Sequence, residues 1–527
     1  MELNKLLQAI DVLKTYNKQN PDITGLAYHS GRVTNGNLFV CMKGLLTDGH
    51  KYLEHAVQNG AVAAVVEDVQ EDINIPQFVV KNSRIALARL ANHFYNEPSK
   101  KLNMIGVTAT NGKTTTTFMT NTILEEAGLK TGLIGTVAVK YGDYSFPSEL
   151  TTPESLDLQY YLDQMVKHNV SHVTMEVSSK AQEAHRVEKV DYDIVSLNNV
   201  SREHIDDHGS FEDYLEAKSR MIRNASKRSY AILNLDDEYS ASLINETKAK
   251  VVTFGVENDE GHVACRNLDL STGRAKFTVE IRKAFGKYPN MIHPQSFDIE
   301  LSVPGLHSVY NSMVAIMIGL LSGVAIPTIQ FALKNFVGVE RRFEYIYEND
   351  FKVIDDHFAN AGNIDVTLKT VERMTYNQFH LVYSIRGGRG PTVNRENAEA
   401  IAYWAPELGL KEIFATKSSS HVADKDQVSK DEEEAFLEVI EKAGLKVHVY
   451  EELEDAIHNV IQKVKPQDLI ILGGAQGMDY GAGLTLQIIN DLKPNISEEQ
   501  LFIPLRNRVA GVTKEQKKLL LKLTPHQ

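Results

Sequence analysis

The chain has few cysteines, no long apolar run and no surplus of positive charge. Of its 527 residues only two are cysteine. Cys41 and Cys265 build neither a disulfide framework nor a metal cluster, which fits a reducing cytosol and predicts a cytoplasmic protein. The opening stretch MELNKLLQAIDVLKTYNKQN reads as an amphipathic helix with frequent charges. It lacks the uninterrupted apolar core of a signal peptide. Residues 316–326 are apolar but too few to span a bilayer, so they read as a buried helix and no membrane partner is expected. The 56 Lys and Arg against 69 Asp and Glu leave a net charge of −13. That balance argues against nucleic acid as a partner, because a phosphate backbone requires clustered basic residues.

The remaining composition is that of an ordinary globular protein, 43% hydrophobic and 24% charged, in a chain too long for one core. Three α/β blocks and a tail are expected, at residues 1–98, 99–338, 339–497 and 498–527. The first carries short strands at 37–41 and 61–66 with a helix at 52–60 between them. Asn96-Glu-Pro-Ser99 reads as a linker. The second alternates strands (104–107, 131–134, 172–177, 194–197, 230–233) with helices, which predicts a mostly parallel sheet covered on both faces. Residues 255–303 read as shorter β segments at its edge. The third block alternates again, with strands at 352–354, 378–383, 412–415, 446–450 and 469–472. The last 30 residues, rich in Lys and Leu, read as an appended helix or mobile tail.

The most informative segment is Gly106-Val-Thr-Ala-Thr-Asn-Gly-Lys-Thr114, which continues into Thr115, Thr116 and Thr117. It joins an apolar strand pattern to a helix pattern. A glycine-bearing turn at that junction aims backbone N–H groups and the positive helix end at one spot, which suits a polyphosphate. Lys113 supplies a point charge and Thr114 a hydroxyl for Mg²⁺. The loop departs from the standard Walker pattern, because Val107 stands where that pattern has a glycine. Glu176, in Thr174-Met-Glu-Val-Ser-Ser179, sits at the carboxyl end of an apolar strand, the edge that faces the ligand crevice in open α/β sheets. It reads either as a Mg²⁺ ligand or as an N-cap acid for the next helix. His204, among acids after another strand, reads as a metal ligand or as a satisfied polar residue. Lys218, in Tyr214-Leu-Glu-Ala-Lys218, reads by periodicity as a solvated helix lysine.

In order along the chain come Gly106–Thr117, Thr151-Thr-Pro-Glu154, Met175-Glu-Val-Ser-Ser179 and Arg186-Val187. Asn198–Gly209, Tyr214–Lys218, Asn234-Leu-Asp-Asp237 and Gly305–Gly319 follow. This series resembles the Mur ligase family, closest to its MurE branch, the UDP-N-acetylmuramoyl-dipeptide amino-acid ligases. Ser30-Gly-Arg-Val33, Gly36-Asn-Leu-Phe-Val40 and Asp48-Gly-His50 resemble that branch's nucleotide-sugar domain. The resemblance covers about residues 25 to 480. It implies an N-terminal UDP-substrate-binding α/β domain, a central P-loop ATPase domain with a parallel sheet, and a C-terminal Rossmann-like α/β domain.

The implied reaction is ATP-dependent amide formation through an acyl phosphate. The implied cofactors are ATP and two Mg²⁺ ions, and the implied partners are a UDP-sugar peptide and an amino acid or amine, bound by a monomer or weak oligomer. By resemblance, Thr110, Asn111, Gly112, Lys113, Thr114 and Thr115 hold the nucleotide, with Lys113 on the β/γ-phosphates. Thr114 and Glu176 hold one Mg²⁺. His204 and a carbamylated Lys218 hold the second, and with Lys113 form the catalytic set. Arg342 and Asp355 close over ATP. Ser30 lies where the family grips uridine, and Thr151, Thr152, Ser178 and Arg186 where it holds the muramoyl-dipeptide. Two alternatives stand beside this one: the same chemistry on a non-peptidoglycan acceptor, and a degenerate nucleotide-binding scaffold.

The departures cluster. Ala109 replaces a glycine of the loop, tolerable only if its φ is negative. Lys180 stands where the branch often has His. In the third block the family's Asp-Tyr-Ala-His-Thr-Pro becomes Asp355-Asp-His-Phe-Ala-Asn360. The Gly-Gly-Asp-Arg-like turn survives partly as Arg386-Gly-Gly-Arg-Gly390. The Asp-Asn-Pro-Arg motif that selects diaminopimelate gives way to Lys417-Ser-Ser-Ser-His421, and Gly-Lys-Gly-His-Glu to Gly473-Gly-Ala-Gln-Gly-Met-Asp479. The phosphate and acceptor ends are kept and the amine end is rewritten, which predicts an amine other than meso-diaminopimelate. Arg386, Arg389 and Arg395 remain suited to an amino acid's carboxylate.

Overall fold

The computed structural model describes residues 1–44, 47–201, 210–270, 274–288, 290–506, 508, 511–513, 516–517 and 520. The chain forms two compact units. One holds residues 1–262 with 285–292 and 314–325; the other holds 263–284, 293–313 and 326 onward.

The first unit contains two sheets. The amino-terminal one runs Lys14–Tyr16, Gln77–Val79, Ala61–Val66, Asn37–Val40, Gly25–Ala27, parallel except for the first strand. Asn37–Val40 is buried throughout and Ala61–Val66 nearly so, the unbroken apolar pattern of strands covered on both faces. Helix Ser83–Phe94 starts on Asn82, whose side chain accepts from the N–H groups of Arg84 and Ile85.

In the central sheet six parallel strands lie in the order Lys250–Gly255, Tyr230–Asn234, Ile194–Leu197, Asn103–Thr108, His172–Glu176, Thr131–Ile134. Two antiparallel strands, Ala138–Tyr141 and Tyr144–Pro147, extend the last edge. The five strands expected here are present. From Asn103–Thr108 the chain goes first to Thr131–Ile134, fills the gap between them with His172–Glu176, then crosses to the other side at Ile194–Leu197. Asn103–Thr108 therefore stands at a topological switch point, and the crevice at its carboxyl end is where open sheets bind ligands. Gly106 has no room for a side chain: a Cβ there would come within 2.7 Å of Met221 Sδ and 2.8 Å of the Tyr192 ring.

The second unit is built on a sheet of six strands. Lys352–Asp356, Leu469–Gly473, Phe379–Ser384, Glu412–Thr416 and Lys446–Tyr450 are parallel, and Glu344–Glu348 pairs antiparallel at the edge. The five strands expected in the third block are all formed. An antiparallel meander, Val263–Asp269, Arg274–Ile281 and Gln295–Pro304, belongs to the same unit. Leu501, Phe502 and Leu505, from the segment expected as a tail, are buried in the core cluster that includes Leu472, Leu486 and Ile489. Among the described residues no helix is long and apolar enough to cross a membrane.

Candidate active site

The loop expected to hold phosphates follows from the strand before it. Asn103–Thr108 ends, Gly112 turns at φ +89°, and helix Lys113–Glu126 begins. A left-handed residue is required at that turn, and glycine meets it without a steric penalty. Ala109 is fully buried and is not among the residues with positive φ, so its methyl is accommodated. Side chains from the neighbouring strand ends pin the loop. Asn199 Oδ1 accepts from Asn111 N (2.9 Å), and Asn199 Nδ2 donates to Asn111 O (2.9 Å). Thr110 Oγ1 lies 2.9 Å from Tyr214 Oη and accepts from Ser201 N at 3.0 Å. Asn198 Nδ2 reaches Thr116 Oγ1 in the first helical turn at 3.0 Å. Lys113 Nζ donates to Ala109 O (2.8 Å) and Thr110 O (3.1 Å), and Thr115 is half-buried on the same turn.

Glu176 is fully buried at the end of its strand, opposite Val107 in the ladder. It accepts from Thr114 Oγ1 (2.9 Å), Thr136 N (2.8 Å) and Thr136 Oγ1 (3.0 Å). Gly135 makes this possible, since a Cβ there would lie 2.3 Å from Glu176 Oε1. The N-cap alternative for Glu176 does not hold: Ser178 caps helix Ser179–Glu183, its hydroxyl accepting from Ala181 N at 3.1 Å. Lys218 is not a solvated lysine. It is 2% exposed, and its Nζ donates to Ala109 O at 2.6 Å and lies over the Tyr214 ring one helical turn earlier. His204 lies outside the described residues.

The residues expected at the acceptor side join the same network. Thr151 Oγ1 is 3.1 Å from Thr136 Oγ1. Thr152 Oγ1 donates to Glu176 O (2.9 Å) and accepts from Ser178 N (3.1 Å), while Arg186 Nη1 reaches Thr152 O (3.2 Å). Arg186 and Arg84 form ion pairs with Glu154 at 2.9 and 3.5 Å. Ser30 stands in the amino-terminal part on a short 3₁₀ turn, its hydroxyl 3.1 Å from His55 Nδ1. Thr110–Thr115, Thr151, Thr152, Glu176, Ser178, Arg186 and Lys218 thus share one sheet edge. Asn199, from the Asn198–Gly209 motif, belongs there too, as do Thr136 and Gly135, which were not singled out in the sequence. Their signal was position, immediately after a strand on that same edge.

In the second unit, Asp355 is fully buried between Arg341 Nε (3.4 Å) and Arg508 Nη2 (2.7 Å). Arg342 Nη1 reaches Arg341 O at 3.4 Å. Burial raises the Asp356 carboxyl and pushes His357 well below the usual imidazole range, with Arg342 acting on both. Arg386 donates to Ala359 O, and burial, with Arg389 nearby, lowers its pKa. Glu432 shapes the Arg386–Gly390 turn by accepting from Arg389 N (2.9 Å) and Gly390 N (2.7 Å). Gly387 and Gly388 survive in that turn because a Cβ on either would come within about 2.1 Å of backbone oxygens at Asp426 and Lys425. Lys417 is paired with Glu433 (3.4 Å) and Glu451, and His421 with Glu454 (2.7 Å).

Fold and site define a class first. A phosphate loop at the switch point of a parallel sheet, with a buried acid one strand away, belongs to an α/β enzyme that works on a nucleoside polyphosphate. Three family domains match in order: the Mur ligase family catalytic domain over residues 22–95, the Mur ligase middle domain over 107–319, and the Mur ligase glutamate ligase domain over 341–476. The chain is 34% identical over 492 residues to the UDP-N-acetylmuramoyl-L-alanyl-D-glutamate–2,6-diaminopimelate ligase of Caldanaerobacter subterraneus, covering 92% of this chain and 96% of that one. The protein of the same name from Geobacillus thermodenitrificans is 35% identical over 499 residues, with 93% and 96% covered. Among solved structures, a ligase of that name superposes with a TM-score of 0.65 at 20% identity over 93% of this chain and 99% of that one. MurF from Acinetobacter baumannii gives 0.65 at 22%, over 92% and 98%. The chain belongs to the Mur ligase family. It is an ATP-dependent ligase of the type that joins an acid to an amino acid.

Proposed function

We propose that the chain activates the terminal carboxyl of UDP-N-acetylmuramoyl-L-alanyl-D-glutamate, the acceptor in its relatives' names, and joins an amino acid to it. The observation that carries this is the unbroken network from the phosphate loop through Thr114, Glu176 and Thr136 to Thr151, Thr152 and Arg186. It ties the groups assigned to the nucleotide to those assigned to the acceptor. A carboxylate oxygen attacks the γ-phosphorus and ADP leaves; the amine then attacks the acyl carbon and phosphate leaves with the carboxylate's oxygen. The acyl phosphate is already reactive, so the protein's part is alignment and charge stabilisation. Loop N–H groups and Lys113 take the phosphates, and Arg186 orients the acceptor.

Thr114 and Glu176 offer two hard oxygen donors 2.9 Å apart, a set that fits Mg²⁺. When bound, the ion neutralises phosphate charge. Lys218 as an ammonium does not fit a second cation; carbamylation would make it an anionic oxygen donor beside Ala109 O, and the mass of the native chain reads that state directly. Arg342 and Asp355 are assigned to ATP, Ser30 to the uridine end, and Arg386 and Arg389 to the incoming amino acid's carboxylate. A cytoplasmic location fits a chain whose substrates are soluble nucleotides.

The relatives' names make 2,6-diaminopimelate the first amine to try. A second reading, an amine without a second carboxylate, is favoured by the Lys417–His421 segment: its two cationic side chains are already paired with Glu433, Glu451 and Glu454. Phosphate release with the UDP-muramoyl dipeptide and a panel of amino acids decides. Turnover with diaminopimelate alone eliminates the second reading. Turnover with a monocarboxylic amino acid alone eliminates the first. No turnover with any UDP-muramoyl acceptor overturns the proposal.

A further inference from the structure

We infer that Arg508, beyond the family match that ends at residue 476, is a positioning residue for the nucleotide end of the third domain, holding Asp355 in place. The inference rests on the reading that Asp355 serves ATP. Arg508 Nη2 sits between two carboxylates, 2.7 Å from Asp355 Oδ2 and 2.5 Å from Glu344 Oε2. The Arg508 and Asp355 side chains are 2% and 0% exposed. The opposite oxygen of Asp355 faces Arg341 Nε, and Arg341 also pairs with Asp479 and donates to Gly474 O. Three carboxylates (Glu344, Asp355 and Asp479) therefore share two buried guanidinium groups. Burial pushes the Glu344 carboxyl up to about 7 even with Arg508 alongside.

The segment delivering Arg508 is built to stay. Leu501, Phe502 and Leu505 are buried in the core, and Gln516 Nε2 donates to Gly483 O at 3.1 Å. Without the Arg508 charge, Glu344 and Asp355 would face each other across a desolvated gap, and one would take a proton or turn away. Asp355 lies near the carboxyl end of strand Lys352–Asp356, so a turn there moves the group assigned to ATP. The UDP-substrate residues are on other elements and are unaffected by that turn.

The test uses the full chain in a phosphate-release assay, varying ATP and the UDP-muramoyl dipeptide separately. Arg508→Met should raise KM for ATP by about tenfold or more with the other KM unchanged, as expected for a misplaced group in a binding constellation. Arg508→Lys, which returns one ammonium between the carboxylates, should recover most of it. Should Arg508→Met fail to fold, Arg508→Lys still carries the test through a smaller rise in the same constant. Phe502→Ala loosens the same segment and should lower Tm without moving KM for ATP. An unchanged KM for ATP in folded Arg508→Met (or in Arg508→Lys where the Met variant does not fold) overturns the inference, and so does an equal rise in Phe502→Ala. Asp355→Asn separates the causes: if it leaves KM for ATP unchanged, the assignment of Asp355 falls and the inference with it; if it raises KM and Arg508→Met does not, the inference alone falls.

Discussion

Replacing Lys113 with alanine is expected to lower ATP turnover by about 10²- to 10³-fold, the usual cost of removing one preorganised charge-stabilising donor. The side chain is half-buried, and its Nζ donates to two loop carbonyls, Ala109 O and Thr110 O. Ala109 O keeps its bond from Lys218 Nζ, at 2.6 Å, once the Lys113 ammonium is gone. The thermal midpoint should therefore move little, while phosphate release nearly stops. Arginine should not restore activity, because a planar fork does not replace a compact ammonium among phosphates. A Lys113→Ala protein that still releases phosphate at the native rate would remove the loop from the chemistry and revive the scaffold reading.

Glu176 has the second large effect, and two substitutions separate its roles. Glu176→Ala strands the buried Thr114 Oγ1, at about 1–3 kcal/mol for an unsatisfied group, and opens a void at a fully buried position, while the exposed Thr136 can turn to water. That variant should unfold at clearly lower urea concentration and be inactive. Glu176→Gln keeps the shape and one carbonyl oxygen for Thr136 N, and the Thr114 hydroxyl can turn to accept from the new amide. This variant should lose clearly less stability than Glu176→Ala, since the three charge-assisted hydrogen bonds become neutral ones while the side chain still fills its place. Phosphate release should nevertheless fall steeply, because a neutral amide oxygen holds Mg²⁺ more weakly than a carboxylate does. A Gln variant with native turnover would make Glu176 a brace for Thr136 and nothing more.

Much of this site was legible in the sequence because its chemistry is local. The strand, the Gly112 turn and the Lys113–Thr117 run are contiguous, and Glu176 ends an apolar run that could only be a buried strand. Lys218 was not legible by periodicity. Its position on helix Phe211–Asn224 suggests solvent, but the helix packs so that Nζ lies under the loop, 109 residues away in sequence. Only the family resemblance drew attention to it. Thr136 and Gly135 escaped notice because hydroxyls and glycines after strands are common, and their role appears once the ladder sets Glu176 beside them. Arg508 was out of reach for the same reason: its partner Asp355 is 153 residues distant, and a Lys- and Leu-rich ending reads as a tail until its leucines are seen in the core. The Gly473–Asp479 stretch reads in the sequence as the replacement of a family motif. In the fold, Gly473, Gly474 and Gly477 make room for Phe358 and Ser384, so that stretch is also held by packing.

The central claim is that the phosphate loop and Glu176 serve the transfer of a γ-phosphoryl group to a carboxylate. Isotope transfer measures this most directly. The UDP-muramoyl dipeptide is prepared with ¹⁸O in its terminal carboxyl and turned over with ATP and an accepted amine, and the released phosphate is analysed by mass. The account predicts one ¹⁸O atom carried into inorganic phosphate for each amide formed. Label found in AMP, or phosphate released without label, would contradict it.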